Sequence, residues 1–351
     1  MVGEEVMAAP PGDFPAIYNF GDSNSDTGGI AAAFYQIQAP SGQTFFGKPV
    51  GRASDGRLTI DFIAEHLKLP HLSAYLNSIG ANFSHGTNFA TGGATIKRNN
   101  ESWFENTVSP FPLDIQTAQF QQFKSRTTDL YNQAEQPYRT PLTSLQQQFK
   151  YYYMSSIFFF FFFCNEINVF NAEMDCIWQT LYHEGARVFW IHNTGPIGCL
   201  PVATASVKNP KPGDLDEHGC VKSQNDIAIE FNRQLKDRVI KLRTELPEAA
   251  ITYVDVYAAK YGLIINAKNQ DSTGFDDPFK SCCGIHENGL SIRCGNKGMR
   301  NGMEVFGGPC AKPSTAISWD GVHYSEAANN WERGREELAM FQDHMAAAEK
   351  A

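Results

Sequence analysis

Apolar positions along this 351-residue chain come in two patterns: short, largely apolar runs, and longer stretches with three-to-four-residue spacing. The short runs read as buried strands of a parallel sheet, which has no solvent face to keep polar. Ala16 to Phe20 is one, Ala186 to Asn193 (with Val188, Trp190 and Ile191) another, and Ile251 to Tyr257 a third. The spaced pattern predicts helices. These cover the Ala-rich Ile30 to Ile37, then Leu58, Ile60, Ile63 and Leu67 up to the stop at Pro70, and Leu113, Phe120 and Phe123 within a polar, Gln-rich region. The clearest helix is Asn225 to Leu246: Ile227, Phe231, Leu235, Val239, Leu242 and Leu246 mark one face, and Pro247 follows. Ala327, Trp331 and Leu338 mark a terminal helix, whereas Asp271 to Pro313 reads as loop. Strands alternating with helices predict an α/β fold.

One stretch breaks this regularity. Ile157 is followed by six phenylalanines, Phe158 to Phe163, then Cys164, Asn165 and Glu166. A buried strand tolerates an unbroken apolar run, so the plain reading is a further core strand. Six large aromatics in succession nevertheless pack poorly on two faces at once. A pyrimidine-rich intron end would encode poly-Phe if read through, and the expectation is a misread exon junction near Cys164. The run Ile157 to Cys164 is far shorter than the ~20 residues of a membrane helix, so no stable membrane insertion is expected.

Composition narrows the class. Apolar residues at 42% and charged residues at 19% are ordinary for a globular chain. A formal charge of −9, with no basic cluster, argues against nucleic acid or an anionic membrane surface as partner. Eight cysteines hint at disulfides. Cys199 and Cys220 could close one loop; Cys282, Cys283, Cys294 and Cys310 lie in a Gly-rich region without the spacing of a zinc site. Asn82-Phe83-Ser84 and Asn100-Glu101-Ser102 match the glycosylation acceptor pattern. Residues 1–13 read as an extension without the apolar core of a signal peptide.

The chemistry concentrates in Phe20-Gly21-Asp22-Ser23-Asn24-Ser25-Asp26-Thr27-Gly28-Gly29, between the first strand and the first helix. A serine on such a turn sits at the C-terminal edge of the sheet, where open α/β folds keep their sites. An N-cap is the commonest alternative use of Ser23. A calcium loop through Asp22, Asn24 and Asp26 fails, because Thr27 replaces the required glycine and Ala33 the closing glutamate. A phosphate cradle lacks its Gly-Lys-Ser/Thr. Far downstream lies Asp320-Gly321-Val322-His323. An imidazole can activate a hydroxyl, and a carboxylate three residues earlier can orient that imidazole. Asp22 reads as shaping the turn. His85 and His192 lack an acid partner in any motif.

Together the two motifs resemble the plant GDSL esterase/lipase family of the SGNH hydrolases. Further stretches are similar to that family: Gly51 to Arg57, whose charges read as structural pairing, Asn82 to Ile96, and Thr194 to Pro201. The resemblance implies a single three-layer α/β/α flavodoxin-like domain over residues 14–345, with a parallel sheet of about five strands and a disruption around 151–184. It implies Ser23, His323 and Asp320 as catalytic triad, and the amides of Ser23 and Gly93 with the Asn165 side chain as oxyanion hole. In the family's third block a glycine precedes that asparagine by two positions; here Phe163 stands there. The implied activity is hydrolysis of carboxylic acyl or acetyl esters through an acyl-enzyme, on a small-molecule ester, with no metal or organic cofactor. Secretion is implied too, with the leader expected to have been lost. The competing expectation is an impaired relative that binds a glycan or acyl ligand in the same cleft; peptide hydrolysis is a third.

Overall fold

The computed structural model describes residues 14–96, 109–134, 151–154, 167–268, 274–287 and 290–331. Its parallel strands are β1 (Ile17–Asn19), β2 (Gly86–Asn88), β3 (Tyr151–Met154), β4 (Val188–His192) and β5 (Ala250–Val254). β1 pairs with β2, Ile17 opposite Gly86. β3, β4 and β5 form a three-stranded sheet, with Tyr151 opposite Val188 and Val188 opposite Ala250. β1 also lies against β3.

Residues adjacent along a strand face opposite ways, and both faces of these strands are covered. From β1 and β4, Tyr18, Phe189 and Ile191 enter a core with Phe120 and Phe123 of α3 (Leu113–Ala134), Ile177, Trp178 and Leu181 of α4 (Ile167–His183), and Phe231, Leu235 and Val239 of α6 (Lys222–Glu245). The alternate residues Ile17 and Trp190 pack instead with Ile60, Ile63 and Ala64 of α2 (Thr59–His66). This two-sided burial is why the strands read as short, largely apolar runs without polar alternation. The strand-to-helix turn is followed by α1 (Gly29–Ala33). A third cluster joins α5 (Pro201–Ser206), α7 (Val256–Lys268) and the segment Ile317 to Ala328.

Several boundaries differ from the sequence expectation. α1 ends at Ala33 rather than Ile37, and Phe34 and Tyr35 beyond it are half exposed. The third apolar run ends at Val254, and α7 starts at Val256. Asp255 Oδ1 accepts the Ala258 amide there, a cap that competes with strand continuation. α4 was not anticipated. The strand beside β4 is Tyr151–Met154, upstream of the poly-Phe run, which lies outside the described residues. The expected loop 271–313 holds two hairpins, β6 (Ile285–Glu287) with β7 (Leu290–Ile292) and β8 (Lys297–Arg300) with β9 (Met303–Phe306).

Disulfides staple this part of the chain. Cys199 bonds Cys220, as the spacing allowed, and the pairings that sequence left open are Cys282–Cys310 and Cys283–Cys294. None of the described helices is long and apolar enough to cross a membrane.

Candidate active site

The turn after β1 is held by side chains that arrive from elsewhere. Gln116, fully buried on α3, accepts the Gly21 amide at 2.9 Å and donates to the Gly21 carbonyl at 2.9 Å. Thr91 N donates to that carbonyl as well, at 3.1 Å. Gly21 has φ +148°, a conformation that favours glycine. Asp22 Oδ1 accepts the backbone and side-chain amides of Asn24 at 2.9 and 3.0 Å, so it shapes the turn locally. Asn88 Nδ2 reaches Ser25 O at 2.6 Å and Thr27 Oγ1 at 3.0 Å. Its Oδ1 accepts from Asn19 Nδ2 at 2.8 Å and from Ala90 N at 2.9 Å.

Asp26 closes the arrangement. Its carboxylate accepts four backbone amides: Gly28 at 2.8 Å, Gly29 at 2.5 Å, Ile30 at 3.1 Å and Gly92 at 2.7 Å. Three of these are the orphan donors at the start of α1. The fourth belongs to the next glycine turn, so one carboxylate fixes two loops together.

Ser23 emerges from this frame with its Oγ 2.8 Å from His323 Nε2. His323 Nδ1 lies 2.7 Å from Asp320 Oδ2, and Asp320 Oδ1 accepts the amides of Val322 and His323 at 3.0 and 2.8 Å. The structure therefore brings the three expected residues into one hydrogen-bonded chain across 300 positions. Burial works against the imidazolium, but the charge and hydrogen bond of Asp320 outweigh it, and Asp22 adds to them; the pKa of His323 is raised. Burial likewise opposes ionisation of Asp320, yet the His323 charge and the hydrogen bonds from His323 and Val322 bring it below its ordinary value.

The loop carrying His323 is anchored by Ser54, Asp55 and Arg57, the segment whose charges the sequence assigned to structural pairing. Ser54 Oγ donates to Tyr324 O at 3.1 Å, and Asp55 Oδ1 accepts Glu326 N at 2.8 Å. Arg57 pairs with Glu326 at 2.6 Å and with Glu65 at 2.9 Å. Arg52 meets Asp61 through two bonds of 2.7 and 2.6 Å. On the other side, Cys282 N donates to Ser318 O at 2.9 Å and Cys283 N to Trp319 O at 2.6 Å, just ahead of Asp320.

Gly93 lies one residue past the amide that Asp26 holds. It has φ +79°, and its carbonyl accepts Ser109 N at 2.8 Å. Among the described residues neither the Ser23 nor the Gly93 amide has an acceptor. Asn165 and Glu166 lie outside the described residues. His85 bonds Pro15 O at 3.0 Å, away from the triad. His192 is buried at the end of β4, where burial first and Lys260 second drive its pKa down to about 3. It stays neutral and takes no part in the triad's hydrogen bonds.

Sequence reasoning missed Asp26, Gln116 and Asn88 as positioning groups. Asp26 was visible only as part of a failed calcium pattern, and its oxygens serve amides instead. Gln116 carried no signal, being one glutamine among many in its region.

A family profile described as GDSL-like lipase/acylhydrolase matches residues 17–331. A GDSL esterase/lipase of Arabidopsis thaliana is 52% identical over 340 residues, covering 93% of this chain and 87% of the relative. One from Zea mays is 46% identical over 337 residues, 91% of this chain and 84% of the relative. A third relative, named alpha-L-fucosidase 3 of Arabidopsis thaliana, is 45% identical over 335 residues, 91% of this chain and 88% of its own length.

Proposed function

The chain belongs to the GDSL-like lipase/acylhydrolase family and is a serine ester hydrolase; from that premise we propose that Ser23 is its nucleophile, His323 its base, and Asp320 the carboxylate that orients the imidazole. The observation that carries this reading is the unbroken chain Ser23 Oγ, His323, Asp320 at 2.8 and 2.7 Å.

Ser23 Oγ attacks the ester carbonyl carbon while His323 Nε2 takes its proton. Asp320 accepts from Nδ1, fixing the tautomer and stabilising the imidazolium. The carbonyl oxygen becomes an oxyanion facing the amides of Ser23 and Gly93, with the Asn165 side chain as third donor. Each donor of this kind contributes roughly 10²–10³ in turnover. The imidazolium then protonates the departing alcohol, leaving an acyl-Ser23. Water attacks that ester with His323 as base, releasing the acid and restoring the serine. The substrate class is a small acyl or acetyl ester.

The remaining readings follow the same logic. The contact of β1 with β3 supports a single sheet in the order β2-β1-β3-β4-β5, the flavodoxin-like arrangement, within one domain over 14–345. Three disulfides support an extracellular location.

Hydrolysis of p-nitrophenyl acetate provides the test: Ser23→Ala should lower kcat/KM by at least about 10³. A rate unchanged by that substitution overturns the reading in favour of a ligand-binding relative. A p-nitrophenyl fucoside belongs in the same assay, because of the third relative's name. Glycoside hydrolysis ordinarily needs a pair of carboxylates flanking the bond, whereas Asp320 is committed to His323, so ester cleavage is the favoured outcome.

A further inference from the structure

A lysine is buried beside the triad without a role in the reaction as derived. Lys260, on the inner face of α7, is only 5% exposed. Leu263 and Ile264, one turn further along the same helix face, are buried in the apolar cluster. Lys260 Nζ stands 4.2 Å from the centroid of the Tyr324 ring, itself 5% exposed. Tyr324 directly follows His323, and its carbonyl is the one that Ser54 holds. Keeping an ammonium out of water is costly, so a lysine here needs a compensating interaction. A desolvated cation over an aromatic face supplies one.

We propose that Lys260 is a positioning residue for the base: its ammonium grips the Tyr324 ring and so holds the His323 loop in reach of Ser23. The proposal rests on the triad reading above. Lys260 and Ser54 hold this loop in complementary ways. Ser54 fixes the Tyr324 backbone from the α2 side, while Lys260 fixes its ring from the α7 side.

The electrostatic consequence has a definite sign. His323 is faced by Asp320 on its own turn, Asp22 and Ser23 on the nucleophile turn, and Lys260 from α7. Burial lowers its pKa, the two carboxylates raise it, and the ammonium lowers it further. Lys260 also acts on His192 of β4, which burial already keeps neutral, so no second cation stands there. Removing the ammonium leaves burial alone to oppose the carboxylates and therefore raises the pKa of His323, depleting the base form near neutrality.

Three variants test this on the full chain with p-nitrophenyl acetate. Lys260→Met keeps the stem and removes the charge. Its acid limb of kcat/KM should move up by about half a pH unit or more, and kcat should fall about 5- to 30-fold. Lys260→Arg, which restores charge and ring contact, should recover most of both. Tyr324→Leu should lower kcat by a similar factor and leave the acid limb close to that of the parent. Ser23→Ala run alongside separates the two ideas, since its full activity would sink the triad reading itself. An inactive Ser23→Ala combined with a folded Lys260→Met of parental pH profile and rate overturns the role of Lys260. Should Lys260→Met fail to fold, Lys260→Arg with Tyr324→Leu decides: parental kcat in Tyr324→Leu overturns the proposal.

Discussion

Asp26 Oδ2 accepts the Gly92 amide at 2.7 Å, and this bond joins the turn that presents Ser23 to the turn that presents Gly93. One buried carboxylate, 2% exposed, thereby ties the nucleophile's own turn to the glycine assigned to the oxyanion hole. Asp26→Asn retains one acceptor oxygen and turns the other into a donor aimed at amides. Stability in urea should fall by about 1–3 kcal/mol. Turnover should fall by up to about 10², because a small displacement of reacting groups is that costly. Equal turnover in a folded variant would show that the two turns hold their places independently.

The pH profile of kcat/KM should have an acid limb whose midpoint lies above 6.5, the ordinary value for histidine, because Asp320 raises His323. The base form is the deprotonated imidazole, so activity rises with pH through that midpoint. Asp320→Asn removes the raising charge. The limb should move down while turnover drops by about 10⁴.

Arg52 and Asp61 form a buried bidentate pair next to the loop that anchors His323. Asp61 also accepts Leu58 N at 2.9 Å at the start of α2. Arg52→Ala leaves that carboxylate buried without its cation, at a cost of about 3–5 kcal/mol. Denaturant melts of the variant should show the loss, and a change below about 1 kcal/mol would overturn the assignment of this pair as a stabilising anchor.

Cys282 and Cys283 donate their amides to Ser318 and Trp319, the residues that lead into Asp320. Their bridges to Cys310 and Cys294 close loops of 28 and 11 residues. A native bridge of this kind contributes about 2–5 kcal/mol. Mild reduction should therefore abolish esterase activity while far-UV circular dichroism still reports the helices. Activity that persists until the helices melt would place the cystines outside the control of the triad.

Much of this was legible along the chain. Short apolar runs marked β1, β4 and β5 because strands covered on both faces need no polar alternation, and Phe231, Leu235 and Val239 marked α6 by its buried stripe. Ser23, Asp320 and His323 were legible because their motifs are local and the resemblance is specific. Helix boundaries fared less well: α1 stops at Ala33, short of the Ile37 that the Ala-rich run suggested, and α7 begins where Asp255 caps it, which a periodicity does not encode.

What the sequence by itself determined is the set of chemical groups and the α/β alternation of its most regular strands and helices, since both follow from residue type and short-range spacing. Only the tertiary structure decided which groups meet: Ser23 with His323, Asp26 with Gly92, Gln116 with Gly21, Cys282 with Cys310. These partners are 300, 66, 95 and 28 positions apart. Hydrogen bonds and disulfides depend on distance in space, and separation along a chain does not fix that distance until the sheet has stacked its strands.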